Sequence, residues 1–375
     1  MPEKPFLLDG FVAPGFEAVQ DAFAQNFEEG LEAGAGFAAV IDGEPVVDLW
    51  GGFADRALSQ PWEEDRIAPV YSTTKPIAAL MVARLVGQGK LDYEAPVARY
   101  WPEWGAGKEA VTVAQALSHQ GGVPGFPEPI DPALWLDPPA LAAALAGLAP
   151  MWPPGTASGY HPLTWGYIAG ELVRRASGRS LGTILREEVC TPLAIDFQIG
   201  LPDDQHARAV EILRPTELPE LGEITPATRA AFLTRWAAPD RGAAAWRRAE
   251  IPSANGHGTA LGVALLYQAY ANDGWIEDTE IVHPEAFEAL TRVRIEGEDL
   301  VLPFHLAFAA GVMKNSRGVY GPNPASFGHS GWGGSMGLAD PDRRLSAAYI
   351  MNRQSNKLQG DPRARRLIEA LYGCL

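Results

Sequence analysis

The chain carries the segment Ser72-Thr73-Thr74-Lys75-Pro76, which is followed by an apolar run over residues 77–86. Side chains at positions i and i+3 share one face of a helix, so Lys75 is expected beside Ser72. The ring of Pro76 would clash with a helical carbonyl four residues earlier, so the helix cannot begin much before Ser72. Because the run is apolar on nearly every side, it predicts a helix buried between layers of the fold.

Ser72 and Lys75 have the spacing of a nucleophile and its base. A serine hydroxyl is a weak nucleophile and needs a base within hydrogen-bonding distance. At the first turn of a helix, unpaired N–H groups and the helix dipole also favour developing negative charge. The Ser-x-x-Lys pattern therefore predicts a serine hydrolase. Taken alone, the segment leaves open the alternative that Ser72 is an ordinary helix-capping serine.

Both ends of the chain have the pattern of antiparallel strands. Residues 36–41 and 46–50 predict a hairpin that turns through Asp42-Gly43. Near the other end, Asp361-Pro362 predicts the start of a last helix. Further strands are predicted for residues 305–312, 326–331, 335–339 and 345–352. We therefore expect one sheet, assembled from both ends of the chain and flanked by helices.

The middle of the chain is rich in Ala, Leu, Pro and Trp and predicts short helices joined by loops. We predict an α/β fold of the α+β type, in which residues 1–76 and 296–375 form an antiparallel sheet domain. A second, mostly helical domain of residues 77–295 is inserted between them, with the active site at the junction. A single α+β body with long insertions remains the alternative.

The composition argues against several classes of partner. The 375 residues include 30 Lys and Arg against 46 Asp and Glu, a formal net charge of −16. A field of this sign repels nucleic-acid phosphates and anionic lipids, so we expect neither nucleic acid nor a membrane as a partner. The sequence has no evident secretory signal or membrane span, which predicts a cytoplasmic protein. Scattered histidines and the absence of metal-binding motifs predict no metal and no cofactor.

Three motifs together resemble the penicillin-recognising serine hydrolases, which include class C β-lactamases, DD-peptidases and family VIII carboxylesterases. The motifs are Val70-Tyr-Ser-Thr-Thr-Lys, Leu117-Ser-His-Gln-Gly-Gly-Val-Pro-Gly and Gly328-His-Ser-Gly-Trp-Gly-Gly. The resemblance implies that Tyr160, in Gly159-Tyr160-His161-Pro162, is the general base or shares a proton with Lys75. The alternative is a buried aromatic residue with a bonded hydroxyl group.

The resemblance also implies an oxyanion hole formed by the backbone N–H groups of Ser72 and Trp332. His329, Ser330 and Gly331 would complete the substrate-binding side of the site. The alternative for Trp332 is a core aromatic residue at a glycine-rich bend.

Two departures from the family pattern favour the esterase branch. Pro162 stands where the family has an asparagine, and His329-Ser330-Gly331 stands where it has Lys-Thr-Gly. The side-chain amide and the fixed positive charge that hold β-lactam or peptide substrates are therefore missing. We predict a serine carboxylesterase that cleaves small, short-chain carboxylic esters through an acyl-enzyme on Ser72. Its apolar acyl pocket would be lined by Phe126, Trp152, Trp165 and Trp332.

Two other functions remain open at this point. The same site could serve a β-lactamase, a DD-peptidase or an amide hydrolase. The chain could also be a catalytically inactive homologue of the penicillin-binding proteins that acts as a binding protein.

A second serine lies in Gly333-Gly334-Ser335-Met336-Gly337, which matches the nucleophile elbow of α/β-hydrolases. That fold needs its catalytic histidine after the serine in chain order. All seven histidines precede Ser335. Ser335 is therefore predicted to be a turn residue in a glycine-rich connection between strands.

Overall fold

The computed structural model describes residues 7–233 and 243–375. Residues 1–6, on which the prediction about a secretory signal partly rests, lie outside the described residues. The strands, in chain order, are β1 (Leu8–Val12), β2 (Gly34–Ile41), β3 (Glu44–Gly52), β4 (Ala68–Pro69), β5 (Phe197–Ile199), β6 (Gly256–Gly258), β7 (Trp275–Ile276), β8 (Thr279–Glu280), β9 (Ile295–Glu298), β10 (His305–Phe308), β11 (Met313–Lys314), β12 (Phe327–Ser330), β13 (Met336–Asp340) and β14 (Leu345–Met351).

The helices alternate with these strands and are concentrated in the middle of the chain. In chain order they are α1 (Glu17–Glu28), α2 (Thr74–Gly87), α3 (Val113–Leu117), α4 (Pro138–Ala146), α5 (Thr164–Ser177), α6 (Leu181–Leu185), α7 (Pro226–Thr228), α8 (Ala244–Arg248), α9 (Ala260–Ala271), α10 (Pro284–Thr291) and α11 (Pro362–Gly373). Single π-helical turns extend α6 over Arg186–Cys190 and α7 over Arg229–Leu233.

Nine strands form one antiparallel sheet in the order β1-β3-β2-β14-β13-β12-β11-β10-β9. The two ends of the chain meet inside this sheet, where β2 pairs with β14. The predicted antiparallel sheet, fed by both ends of the chain and flanked by helices, is thus confirmed. The three short strands β4, β6 and β5 form a separate small sheet, in which β4 precedes α2 while β5 and β6 lie in the mainly helical middle of the chain.

The strand β14, in the interior of the sheet, is buried on both faces. Ala348 and Ile350 belong to one core cluster, whereas Tyr349 and Met351 belong to a second cluster on the other side. Successive side chains of a strand point to opposite faces, so each face of the sheet needs its own cover. The helices α1 and α11 cover one face, and α9 and α2 pack on the other.

The helix α2 is the predicted buried helix. Every side chain from residue 77 to residue 83 is fully buried.

The division into a sheet domain and an inserted helical domain stays a prediction. The helix α9 belongs to the predicted insert, yet it packs against β13 and β14 of the sheet. Within the described ranges, no helix is both long enough and apolar enough to cross a lipid bilayer.

Arg363, in the first turn of α11, makes two buried ion pairs. Its Nη1 atom lies 3.0 Å from Glu32 Oε2, and its Nη2 atom lies 2.8 Å from Asp361 Oδ2. The same guanidinium group donates a hydrogen bond of 3.2 Å to the carbonyl of Gly333. This cluster therefore joins α11 to the connection between β12 and β13.

Replacing Arg363 by Met is expected to lower the free energy of unfolding by about 3–5 kcal/mol, because two buried carboxylates would lose their counter-charge. Equilibrium unfolding in urea measures the loss. The matched control is Arg365→Met on the same helix, where the ion pair with Glu369 is exposed. Its expected cost is about 0–1 kcal/mol. Equal losses in the two variants would contradict the role given to the buried cluster.

Candidate active site

Ser72 lies on a single 3-10 turn, Tyr71–Thr73, that leads directly into α2. Tyr71 has a φ angle of +48°, in the left-handed region that residues other than glycine rarely adopt. Such strain persists only where the surrounding structure holds it. The Tyr267 hydroxyl donates a hydrogen bond of 2.9 Å to the carbonyl of Thr73 and helps to fix the turn.

The connection between β12 and β13 packs against the same turn. Ser335 Oγ donates a hydrogen bond of 2.7 Å to the carbonyl of Val70 and lies 3.3 Å from Thr73 Oγ1. Ser335 is buried in this connection, in agreement with the turn role predicted for it. A Cβ atom on Gly331 would lie 2.1 Å from Ser335 Oγ and 2.3 Å from the Val70 carbonyl oxygen. Only glycine allows so close an approach of the two segments.

The amine of Lys75 is surrounded by three oxygen atoms. Its Nζ atom lies 3.1 Å from Ser72 Oγ, 2.8 Å from the Pro162 carbonyl oxygen and 3.1 Å from the Ser253 carbonyl oxygen. Complete burial lowers the pKa of Lys75 well below its ordinary value. A neutral amine has two N–H bonds and one lone pair. When the two carbonyl groups accept the N–H bonds, the lone pair faces the Ser72 hydroxyl.

Tyr160 precedes α5 and reaches the same place from elsewhere in the chain. The Lys75 Nζ atom lies 4.8 Å from the centroid of the Tyr160 ring. Burial raises the pKa of the Tyr160 phenol well above its ordinary value, although a hydrogen bond with the Ser72 side chain acts in the opposite direction. Tyr160 therefore keeps its proton at neutral pH. The structure thus brings Ser72, Lys75 and Tyr160 together.

Asp299 holds the backbone of Tyr160 in position. Its Oδ1 atom accepts hydrogen bonds from the backbone N–H groups of Tyr160 at 2.9 Å, Val301 at 3.0 Å and Leu302 at 2.9 Å. The sequence analysis missed this residue, since no motif surrounds it and its partner Tyr160 lies 139 positions earlier. Its acceptor role depends on a contact between distant segments, which a sequence pattern does not encode.

His329 lies beside Tyr160, with 5.9 Å between the ring centroids. Burial is the main cause that lowers the pKa of His329 to about 3, so the ring is neutral at pH 7. Its Nδ1 atom lies 2.9 Å from the carbonyl oxygen of Ser330 and therefore carries the proton. Its Nε2 atom is buried without a hydrogen-bond partner in the described part of the chain. His329 thus offers a hydrogen-bond acceptor where the family pattern has a cation.

A cavity of about 370 Å³ opens at Ser72. Tyr160, His329, Ser330 and Trp332 line it together with Ser72, whereas Gly331 lies outside the lining. Most of the other lining residues are apolar: Leu163, Leu218, Leu221, Phe232, Leu233, Trp246 and Leu302. None of the described lining residues has a charged side chain.

Three of the four aromatic residues predicted to form the acyl pocket lie elsewhere. Phe126 packs edge-on against Trp135 in the helical core, and Trp165 donates a hydrogen bond of 2.9 Å from its indole N–H to the Leu117 carbonyl. Trp152 packs edge-on against the buried His161. That prediction was wrong for these residues because closeness to a motif in the sequence does not mean closeness in space.

In the part of the chain that the structure describes, no group of three or more His, Cys, Asp or Glu residues is arranged to hold a metal ion.

The sequence matches the protein family described as Beta-lactamase over residues 23–371. The chain belongs to the β-lactamase family. The chain is similar in sequence to the Esterase/beta-lactamase LipL of Mycobacterium tuberculosis. The two are 35% identical over 363 residues, which cover 92% of this chain and 82% of LipL.

Two solved structures resemble the chain along nearly its whole length. A penicillin-binding protein homologue from Caulobacter crescentus is 52% identical with a TM-score of 0.96, covering 98% of this chain and 100% of the homologue. A family VIII carboxylesterase is 44% identical with a TM-score of 0.91, at 98% and 100% coverage. The predicted family and fold are confirmed, and the chain is a hydrolase of the β-lactamase fold with esterase relatives.

Gly331→Ala is expected to lower the free energy of unfolding by about 1–3 kcal/mol, since the new methyl group would overlap the Val70 carbonyl oxygen. Unfolding in urea measures the change. Gly297→Ala on the edge strand β9 is the matched control, because a Cβ atom there meets nothing within 4 Å. Its effect is expected to stay within about 0.5 kcal/mol. A tolerated Gly331→Ala would show that the two segments are not tightly packed.

Proposed function

We propose that the chain is a serine carboxylesterase that cleaves small, uncharged carboxylic esters through an acyl-enzyme on Ser72. The observation that carries this proposal is the buried amine of Lys75, whose pKa burial lowers and whose Nζ atom lies 3.1 Å from Ser72 Oγ. Ser72 itself lines a cavity whose described lining residues are all uncharged. The esterase relatives support the same reaction class.

In the acylation step, Ser72 Oγ attacks the ester carbonyl carbon while the lone pair of Lys75 accepts the hydroxyl proton. The resulting ammonium has three N–H bonds. The carbonyl oxygens of Pro162 and Ser253 can accept two of them, and the Ser72 oxygen, which no longer carries a proton, can accept the third. Tyr160, which is protonated at neutral pH, is placed to supply a proton to the leaving alkoxide. Lys75 is thus the first proton acceptor, and Tyr160 is the acid.

In the second step, water attacks the acyl-enzyme and gives a proton to the Tyr160 phenolate, while the Lys75 ammonium returns its proton to the leaving Ser72 oxygen, which restores the starting state. In both steps negative charge develops on the carbonyl oxygen. We assign its stabilisation to the backbone N–H groups of Ser72 and Trp332, two residues that line the same cavity. Hydrogen bonds from Arg363 and from the backbone N–H of Ser355 to the Gly333 carbonyl, at 3.2 and 2.8 Å, hold the connection that carries Trp332.

The lining of the cavity supports a neutral ester as the substrate. A substrate carboxylate would meet no cation among the described lining residues and would lie near the lone pair of His329 Nε2. Desolvating a carboxylate without a partner is costly, so charged substrates are disfavoured. The leucine, phenylalanine and tryptophan side chains favour a short apolar acyl group.

Hydrolysis of β-lactams is the second candidate function, because the relative LipL carries both names, esterase and β-lactamase. The common β-lactam antibiotics carry a carboxylate group. The uncharged cavity therefore predicts that an ester is turned over faster than a cephalosporin.

Ser72→Ala is expected to abolish hydrolysis of p-nitrophenyl butyrate, because the variant lacks the atom that forms the acyl-enzyme. It should also lose labelling by a fluorophosphonate probe while its circular dichroism stays unchanged. Ser335→Ala is the matched control for the other serine motif and should still be labelled, because Ser335 is buried behind the turn. Labelling that persists in Ser72→Ala would rule out the proposed nucleophile, and wild-type protein that is never labelled would identify an inactive homologue.

The same assay tests the substrate class. p-Nitrophenyl hemisuccinate is a matched substrate that adds one carboxylate to an acyl chain of similar length, and its kcat/KM should fall at least roughly tenfold below that of the butyrate. A chromogenic cephalosporin should be slower still. Faster turnover of the two charged substrates would favour the β-lactamase alternative.

The pH profile is expected to report the lowered pKa of Lys75. Because burial lowers the pKa of Lys75 well below its ordinary value, kcat/KM is expected to rise much less than tenfold per pH unit between about pH 7 and 9, and to fall when acid protonates the amine. A base with the ordinary lysine pKa of about 10.4 would instead give kcat/KM rising roughly tenfold per pH unit in this range. Lys75→Arg, which stays protonated, should lose about 10²–10⁴-fold in kcat/KM. A profile that still climbs towards pH 10 would contradict Lys75 as the base.

A further inference from the structure

A second cavity, of about 430 Å³, is separated from the catalytic cavity by Trp246. Trp246 lines the catalytic cavity, and its ring lies 5.6 Å from the ring of His257, which lines the second one. The two cavities differ in chemistry. The described lining residues of the catalytic cavity are uncharged, whereas three arginines, Arg56, Arg214 and Arg247, line the second cavity.

These arginines leave an excess of positive charge. Arg56 pairs with Glu211 at 3.1 Å, and Glu211 is the one carboxylate among the described lining residues. Arg214 and Arg247 form no ion pair with any residue in the ranges 7–233 and 243–375. Within the described lining, three guanidinium groups thus stand against one carboxylate, in a chain with a net charge of −16. Such a local excess attracts a small anion.

Two buried polar atoms at this cavity lack partners among the described residues. Among the residues that the structure describes, none accepts from the Nε–H group of Arg247, and the one side-chain hydrogen bond of Arg247 runs over 3.4 Å from Nη1 to the His206 carbonyl. His257 is 1% exposed and its Nδ1 atom lies 2.7 Å from the Asn255 carbonyl oxygen, so Nδ1 carries the proton. Its Nε2 atom is therefore an acceptor without a donor. Buried atoms of this kind normally bind a ligand, an ion or water.

We propose that this second cavity binds inorganic phosphate, with Arg247 and Arg214 donating to its oxygens and its P–OH group donating to His257 Nε2. Guanidinium groups match the geometry of phosphate oxygens and form charge-assisted hydrogen bonds with them. Hydrogen phosphate keeps one P–OH group throughout the neutral pH range. Sulfate has the same shape but carries no proton there, so it would present an oxygen lone pair to the lone pair of Nε2. The site should therefore prefer phosphate to sulfate.

Isothermal titration calorimetry of the full chain at pH 7.5, in a buffer free of both anions, tests the site. Inorganic phosphate should bind with a saturable isotherm, and sulfate should bind at least roughly tenfold more weakly. Arg247→Gln should weaken phosphate binding roughly tenfold or more. Arg214→Gln should weaken it by a smaller factor; because Arg214 is exposed, this variant remains informative if Arg247→Gln fails to fold.

Arg248→Gln is the matched control on the same helix. Arg248 pairs with Asp203 at 2.6 Å and does not line the second cavity, so its loss should leave the phosphate affinity unchanged. The proposal is overturned if phosphate gives no saturable isotherm, or if phosphate and sulfate bind equally well. It is also overturned if Arg248→Gln weakens binding as much as Arg214→Gln does.

Discussion

The amine of Lys75, fully buried among three oxygen atoms, is the interaction on which the rest of the site depends. A buried ammonium without a counter-ion is costly, so burial shifts this group towards its neutral form. The two carbonyl oxygens that contact it belong to Pro162 and Ser253, far from Ser72 in the sequence. The lone pair of the amine therefore points towards the Ser72 hydroxyl only when three separate segments of the chain have packed together.

The glycine-rich connection between β12 and β13 links the large sheet to the turn that carries Ser72. Gly331 lets this connection approach the Val70 carbonyl, and Ser335 bonds to it. The connection is held from behind by Arg363, whose charge is balanced by buried carboxylates. The position of Trp332 relative to Ser72 is thus set by close packing on one side and by ion pairs on the other.

The sequence predicted what depends on local patterns. The hairpin of β2 and β3, the later strands, the buried helix α2 and the segment containing Tyr160 all have a periodicity or motif of their own. The edge strands β1 and β9 were missed, because most of their side chains are exposed and they lack a buried face. Asp299 and most of the cavity lining could not be found either, since their roles arise from contacts between distant segments.

The pairing of β2 with β14 has a consequence for how the protein is made. Ile41 aligns with Leu345, so these two neighbouring interior strands of the sheet are separated by most of the chain. On the ribosome, β2 emerges early and keeps one edge unpaired until β14 has been synthesised. An unpaired strand edge can associate with another chain. Ser72 emerges long before the strands whose connection packs against its turn. The nascent polypeptide therefore cannot complete the large sheet until β14 has been synthesised.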